Sequence, residues 1–156
     1  MCAELSGELG RDRRWLAAAI ELSKRCPPVD RAYAVGAVIV GPDGTKLAYG
    51  YSRETDELVH AEESALAKLA GQRVDLSGAT LYSTLEPCSE RSSRPRSCTQ
   101  LILDAGVGRV VLAWREPSLF VADARGAELL VAAEVEVVEL PELADAARAV
   151  NAHLFL

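Results

Sequence analysis

The sequence predicts a three-layer α/β/α fold around a five-stranded mixed sheet, with 1–156 forming a single domain. Two observations predict this fold. A Pro-Asp-Gly turn at 42–44 separates two segments with strand character, which indicates an antiparallel hairpin. Helical and strand-like segments then alternate to the end of the sequence. The later strands are therefore expected to be parallel and joined by right-handed crossovers.

The first half of the chain is expected to contain two helices and the hairpin. Asp12 caps the first helix, which continues through Arg25 and is stopped by Pro27 and Pro28. The valine-rich run AYAVGAVIVG and the segment TKLAYGYSR supply the two strands of the hairpin. After the polar loop ETDEL, the second helix spans HAEESALAKLAG and ends at Gly71.

The second half is expected to alternate three strands with three helices. The strands are ATLYSTL, RVVLAW and VEVVEL, and the helices between them are CTQLILDAG and ARGAELLVAA. Ser97 and Gln100 have the spacing of a capping box, which places Cys98 in the first turn of its helix. Pro141 then opens a C-terminal helix at its first position. The apolar face of that helix is formed by Leu143, Ala147, Val150 and Leu154.

Composition limits the classes of partner. A net charge of −6 and a pI of about 5.0 oppose nucleic-acid binding, although Arg91, Arg94 and Arg96 leave room for a local basic patch. The sequence has no apolar run long enough to predict a membrane span. The N-terminal segment lacks the order of a signal peptide, because acidic residues precede its basic cluster and Glu21 interrupts the apolar stretch. We therefore expect a cytoplasmic protein with neither nucleic acid nor a membrane as its partner.

The four cysteines fall into two groups. Disulfides are rare in cytosolic proteins, whose cysteines more often bind metals or take part in catalysis. Cys2 is terminal, and Cys26 is expected on the apolar face of the first helix as a small hydrophobic residue. Cys88 and Cys98 remain, either as metal ligands or as a disulfide switch.

His60, Cys88 and Cys98 are candidate ligands for one catalytic zinc ion per chain. Zinc favours imidazole and thiolate ligands, and a catalytic site keeps one of its four positions for water. Glu62 lies two residues after His60 and is the candidate acid and base that carries a proton from this water to a departing amine. The order H-x-E, then P-C, then a second cysteine is typical of zinc deaminases. The other histidine, His153, is expected near the surface.

The chain resembles the cytidine and deoxycytidylate deaminase superfamily. The segments VGAVIV, HAEESAL, TLEPCS, LILDAGVGRVVLAWREP and AELLVAAEVEVV look closest to the pyrimidine deaminase domain of riboflavin biosynthesis. The resemblance runs from about Trp15 to Val138. It implies a cytidine-deaminase-like fold, a homodimer, and an aminohydrolase that breaks C–N bonds of cyclic amidines. The implied substrate is a diaminopyrimidinone that carries a ribosylamino phosphate, with Arg94 at the place of a basic residue near that phosphate.

The residues at the expected substrate-binding positions differ from those of this family. Ala32 and Tyr33 stand where the family has an Asn-Pro pair, and Glu90 stands where it has a histidine. The family's DPNP loop becomes EPSL at 116–119, the loop between the cysteines is one residue longer, and no segment matches the reductase domain often fused in this pathway. We therefore expect a relative with an altered substrate. The candidate substrate-binding residues are Ala61, Glu90, Arg94 and Glu116.

Several functions stay open at this point. Within the same chemistry, the substrate is alternatively cytidine, deoxycytidylate or a free base such as cytosine or guanine. Editing of adenosine in tRNA is supported only by the three arginines between the cysteines, and a non-catalytic zinc module leaves Glu62 unexplained. Trp114 and Phe120 are candidates to stack on a substrate ring, or equally for core packing.

Overall fold

Five strands form one mixed sheet in the computed structural model, which describes residues 2–117, 119–120 and 124–155. In chain order they are β1 (Gly36–Val40), β2 (Lys46–Tyr51), β3 (Thr80–Leu85), β4 (Arg109–Trp114) and β5 (Glu136–Glu139). Across the sheet their order is β2-β1-β3-β4-β5. Strand β1 is antiparallel to both of its neighbours, whereas β3, β4 and β5 are parallel. The predicted hairpin and the predicted parallel crossovers are both confirmed.

Helices cover both faces of this sheet. They are α1 (Cys2–Ser23), α2 (Ala61–Ala67), α3 (Cys98–Ala105), α4 (Gly126–Ala132) and α5 (Ala144–Ala149). Helix α1 packs against α5 in one layer, while α2 contacts α3 and α3 contacts α4 in the other. None of the helices in the described ranges is long and apolar enough to cross a membrane.

Helix α1 begins at Cys2, so the predicted start at Asp12 is wrong. The residues before Asp12 include two glutamates and two leucines and contain no proline, so the helix continues through them despite Gly7 and Gly10. Asp12 is instead a buried ion-pair partner in the middle of α1. Its two carboxylate oxygens accept hydrogen bonds from Arg109 at 2.8 and 2.7 Å, and the Tyr82 hydroxyl donates to one of them at 2.7 Å. The carboxylate thus joins α1 to the strands β3 and β4.

Cys26 lies beyond the end of α1, which contradicts its predicted place on that helix. The helix ends at Ser23, and the following proline favours an extended conformation at Cys26. The prediction that Cys26 is a small buried residue is confirmed, since it is 6% exposed and its thiol donates to the Val35 carbonyl oxygen at 3.5 Å.

The C-terminal segment is divided, where a single helix was predicted. Pro141 opens a short 3-10 helix, Pro141–Leu143, and a second 3-10 helix, Ala152–Phe155, follows α5. The division falls at Asn151, whose buried side chain accepts from the Ala34 amide at 2.7 Å and donates to the Ala34 carbonyl at 3.0 Å. This pairing ties the segment to the chain just before β1.

Close contact between β2 and α2 positions the helix that carries His60 and Glu62. A side chain at Gly50 would place its Cβ 2.4 Å from the carbonyl oxygen of Ala61 and 2.6 Å from the amide nitrogen of Ala65. Glycine is therefore required for the first turn of α2 to lie directly on the sheet.

Candidate active site

The three predicted metal ligands meet at the start of two helices. His60 immediately precedes α2, Cys98 is the first residue of α3, and Cys88 lies in the loop after β3. The Nδ1 of His60 is 3.3 Å from the Cys98 sulfur and 3.6 Å from the Cys88 sulfur, and the three ligand atoms lie within 4.8 Å of one another. Tetrahedral zinc with ordinary bond lengths separates such nitrogen and sulfur atoms by about 3.6 Å. The donor set therefore fits one zinc ion.

The backbone around the two cysteines holds this arrangement. The amide of Cys98 donates to the Cys88 sulfur at 3.2 Å, and the amide of Thr99 donates to the Cys88 carbonyl at 3.1 Å. The hydroxyl of Ser97 accepts from the Gln100 amide at 3.1 Å, which confirms the predicted helix start. Both thiols are free, so this structure does not contain the disulfide of the alternative hypothesis.

The electrostatics of the cluster favour a negative charge on Cys88. Hydrogen bonds from Cys98 lower the pKa of the Cys88 thiol to about 4, and His60 adds to the effect. The same contact and complete burial raise the pKa of Cys98. Burial opposes a charged His60, but the hydrogen bond and charge of Cys88 outweigh it and raise the pKa of the imidazole. The two sulfurs therefore compete for one negative charge, and a divalent cation bound to both would favour two thiolates.

Glu62 is buried next to the cluster and is held by a residue that sequence reasoning missed. The Glu62 side chain is 4% exposed, and its Oε1 accepts from the hydroxyl of Ser83 at 2.5 Å. Ser83 is fully buried on β3, and its hydroxyl is also 2.7 Å from the Leu85 carbonyl oxygen. The sequence did offer one indication of this role: Ser83 is a polar residue within the largely apolar strand segment TLYSTL.

A cavity of about 720 Å³ opens onto the cluster. His60, Cys88 and Glu62 form one part of its wall, and two of the predicted substrate-binding residues, Glu90 and Glu116, also line it. Burial, together with the negative charges of Cys88, Glu86 and Glu62, raises the pKa of Glu116 to about 7. The volume is suited to a small molecule rather than a polymer strand.

The other two predicted substrate-binding residues are placed differently. Ala61 is fully buried at the start of α2. Arg94 donates to Asp56 at 2.7 Å and to Glu63 at 3.2 Å, so its guanidinium is engaged within the protein. Substrate contact by Ala61 and Arg94 stays a prediction.

The neighbouring arginines of the cysteine loop are paired as well. Arg91 forms an ion pair with Glu63 at 3.1 Å and donates to the Leu58 carbonyl at 2.8 Å. Arg96 pairs with Asp104. The basic patch suggested by the sequence is therefore matched by carboxylates.

Two aromatic residues considered for ring stacking, Trp114 and Phe120, pack on a third. They meet the ring of Tyr33 edge-on, at centroid distances of 5.9 and 5.1 Å. Phe120 also lines the cavity, so stacking on a substrate ring stays a prediction. His153, expected near the surface, is partly buried, and its Nε2 lies 3.0 Å from the Val29 carbonyl oxygen. Tyr33 and Arg53 line the cavity. Tyr33 was noted only as a departure from the family's Asn-Pro pair, and Arg53 was not predicted at all.

Comparison with known proteins agrees with this site. Residues 9–114 match the family model of the cytidine and deoxycytidylate deaminase zinc-binding region. The chain therefore belongs to the cytidine and deoxycytidylate deaminase family, with zinc as the cofactor of its site. The resemblance predicted from the motifs is confirmed.

Named relatives of the chain include proteins of riboflavin biosynthesis. A Schizosaccharomyces pombe protein named diaminohydroxyphosphoribosylamino-pyrimidine deaminase is 45% identical over 123 residues, which are 78% of this chain and 30% of that protein. The riboflavin biosynthesis protein RibD of Escherichia coli is 39% identical over 128 residues, 81% of this chain and 33% of RibD. The chain thus spans about a third of the length of these curated relatives.

A solved structure supports the same assignment. The Thermotoga maritima diaminohydroxyphosphoribosylaminopyrimidine deaminase/5-amino-6-(5-phosphoribosylamino)uracil reductase superposes with a TM-score of 0.81 at 31% identity. The match covers 94% of this chain and 40% of the other. The α/β fold with its five-stranded mixed sheet is therefore the deaminase fold.

Proposed function

We propose that residues 1–156 form a single zinc-dependent deaminase domain that releases ammonia from the exocyclic amine of a pyrimidine-type nucleotide, nucleoside or related heterocycle. The observation that carries the proposal is the buried carboxylate of Glu62 beside the His60, Cys88 and Cys98 cluster, at the wall of a cavity of about 720 Å³. A structural metal site needs no such carboxylate and no cavity.

His60, Cys88 and Cys98 hold the metal in this proposal. When bound, zinc acts as a Lewis acid that makes a water molecule acidic near neutral pH. Two thiolates and one neutral imidazole would supply three protein ligands, the number that catalytic zinc sites use when they also bind water.

Glu62 moves the proton. Its carboxylate accepts a proton from water and delivers it to the departing amine, while a C–O bond forms at the ring carbon and the exocyclic C–N bond breaks. The ring nitrogen next to this carbon takes the second proton of the water, so the products are a ring carbonyl with a protonated neighbouring nitrogen and ammonia. Ser83 keeps the Glu62 carboxylate oriented through the 2.5 Å hydrogen bond.

The relatives' names guide the choice of substrates to test. These names favour a diaminopyrimidine with a phosphoribosylamino group. An altered substrate is favoured by Tyr33, Glu90 and Glu116, because the family has other residues at these three positions. Cytidine, deoxycytidylate, cytosine and guanine are the comparison compounds.

We also propose that the chain forms a homodimer, which light scattering on the purified protein tests. The cytoplasmic location stays a prediction.

The decisive experiment measures ammonia release and zinc together. The wild-type chain is expected to carry one zinc ion and to release ammonia from at least one compound of this panel. Glu62→Gln should retain zinc by elemental analysis and lose about 10²- to 10⁴-fold in turnover. Glu4→Gln, a charge-matched change on the exposed face of α1, should behave as wild type. Unchanged turnover in Glu62→Gln, or a purified chain without zinc, contradicts the proposal.

A further inference from the structure

Two buried side-chain polar atoms in the described part of the chain have no hydrogen-bond partner: the hydroxyl oxygen of Tyr33 and the Nε of Arg53. Both side chains line the cavity that contains Glu62. A buried polar group without a partner costs about 1 to 3 kcal/mol, so two in one wall indicate a site that is completed by a ligand.

Tyr33 is rigidly held with its hydroxyl unused. The residue is 7% exposed, and its ring lies edge-on to both Trp114 and Phe120. Burial, together with the negative charge of Glu116, raises the pKa of the Tyr33 hydroxyl to about 12. The group therefore remains protonated at neutral pH and is available as a hydrogen-bond donor.

Arg53 is anchored through its two Nη atoms, while its Nε has no partner. Its Nη1 donates to the Tyr33 carbonyl at 3.3 Å and its Nη2 donates to the Pro27 carbonyl at 2.8 Å. Its backbone has a φ of 61°, in the left-handed region that costs energy for a residue with a side chain. A strained backbone and two anchoring bonds together hold a cationic side chain in one place beside Tyr33.

Two cationic side chains of the cavity, Arg31 and Arg53, lie close to each other, although glutamates including Glu116 line the same cavity. Burial lowers the pKa of Arg53, and the nearby charge of Arg31 lowers it further, so the two guanidinium groups repel each other. Arg31 also lines the cavity, and among the described residues neither arginine forms an ion pair. By contrast, Arg94 already holds two carboxylates.

We propose that Tyr33 and Arg53, with Arg31 at the rim, bind the phosphate of a phosphorylated substrate. The inference rests on the proposed deaminase function, because it assigns residues to the phosphate of the same substrate whose exocyclic amine reacts next to Glu62. A phosphate accepts hydrogen bonds from the Tyr33 hydroxyl and the Arg53 Nε, and its charge relieves the repulsion between the two guanidinium groups. The phosphate is thus bound at a different place from Arg94, where the family resemblance would put it.

The test uses the zinc-loaded full chain and two probes, ribose 5-phosphate and ribose, in calorimetric titrations that do not depend on turnover. Ribose 5-phosphate should bind and ribose should bind at least 10-fold more weakly. Tyr33→Phe should weaken ribose 5-phosphate about 5- to 10-fold and Arg53→Gln at least 10-fold. Arg96→Gln removes the same charge from an arginine outside the cavity, so it should leave the affinity unchanged.

Stability separates a ligand-binding role of Tyr33 from a structural one. If the hydroxyl is kept for a ligand, Tyr33→Phe removes an unsatisfied buried group and should leave the free energy of unfolding unchanged or higher. A loss of stability in Tyr33→Phe contradicts the proposal. So do equal affinities for ribose 5-phosphate and ribose, or loss of phosphate binding in Arg94→Gln but not in the Tyr33 and Arg53 variants. Because these readouts are independent of ammonia release, either idea can fail without the other.

Discussion

The hydroxyl oxygen of Ser83 lies 2.5 Å from Oε1 of Glu62 and 2.7 Å from the carbonyl oxygen of Leu85. The hydroxyl has one proton and can donate it to only one of these oxygens at a time. While Glu62 is a carboxylate, Ser83 donates to it. When Glu62 carries a proton, the carboxylic acid can donate to Ser83, which then donates to Leu85. Ser83 and Glu62 therefore stay hydrogen-bonded to each other both before and after Glu62 accepts a proton.

Ser83→Ala should therefore lower kcat by about 10- to 100-fold, because a hydrogen bond to a buried charged group contributes about 1.5 to 3 kcal/mol. The KM and the zinc content should change little, since Ser83 does not itself line the cavity and is not one of the three metal ligands. Steady-state kinetics and elemental analysis measure both. Ser83→Thr keeps the hydroxyl and should recover most of the rate. Equal kcat values for the alanine variant and the wild type would argue against this role.

Cys88→Ser should reduce bound zinc at least 10-fold, because it removes one of three ligands and the thiolate favoured by its lowered pKa. Elemental analysis of protein purified without chelator provides the measurement. Cys26→Ser is the matched control, since Cys26 is equally buried but lies outside the cluster. Zinc lost equally from both variants would contradict the assignment.

Asp12→Ala should lower the free energy of unfolding by about 1.5 to 3 kcal/mol, because it removes the two charged hydrogen bonds from Arg109, which keeps its ion pair with Glu136. Urea denaturation followed by circular dichroism measures this change. Tyr82→Phe removes only one hydrogen bond to the same carboxylate and should cost about 1 kcal/mol. Similar losses in both variants would show that the ion pair itself adds little.

The stability contributed by Glu54 should depend on pH. Burial raises the pKa of Glu54, but hydrogen bonds from Ser64 at 2.6 Å and Lys68 at 2.9 Å outweigh it and lower the pKa. A carboxyl whose pKa is lower in the folded state stabilises the fold above its unfolded pKa, and this contribution is lost as the pH falls through the folded pKa. The stability gap between wild type and Glu54→Gln should therefore be largest near pH 7 and narrow below about pH 4.5. Urea midpoints across this range provide the measurement, and a gap that widens in acid contradicts the prediction.

Local sequence patterns predicted most of the fold and the reactive centre. The Pro-Asp-Gly turn, the valine-rich strands and the Ser97 cap are short-range signals, and each formed the expected element. The cluster of His60, Cys88 and Cys98 was also predictable, because few arrangements of such ligand types and spacings serve another purpose.

The features that were missed depend on contacts between distant residues. Asp12 looked like a helix cap because Arg109, its partner, is 97 positions away in the sequence. The hydrogen bond between Ser83 and Glu62 and the break at Asn151 likewise join separate elements. The unpartnered atoms of Tyr33 and Arg53 became visible only once all neighbours were in place.

The paired arginines of the loop between Cys88 and Cys98 have a consequence for how a substrate arrives. Arg91, Arg94 and Arg96 are offset by the carboxylates of Glu63, Asp56 and Asp104, so this part of the surface produces little far-reaching attraction for an anion. Selection of a negatively charged molecule is therefore left to the interior of the cavity. Encounter rates at this surface should then depend only weakly on ionic strength, and discrimination should appear as a slower departure of the correct molecule rather than its faster capture.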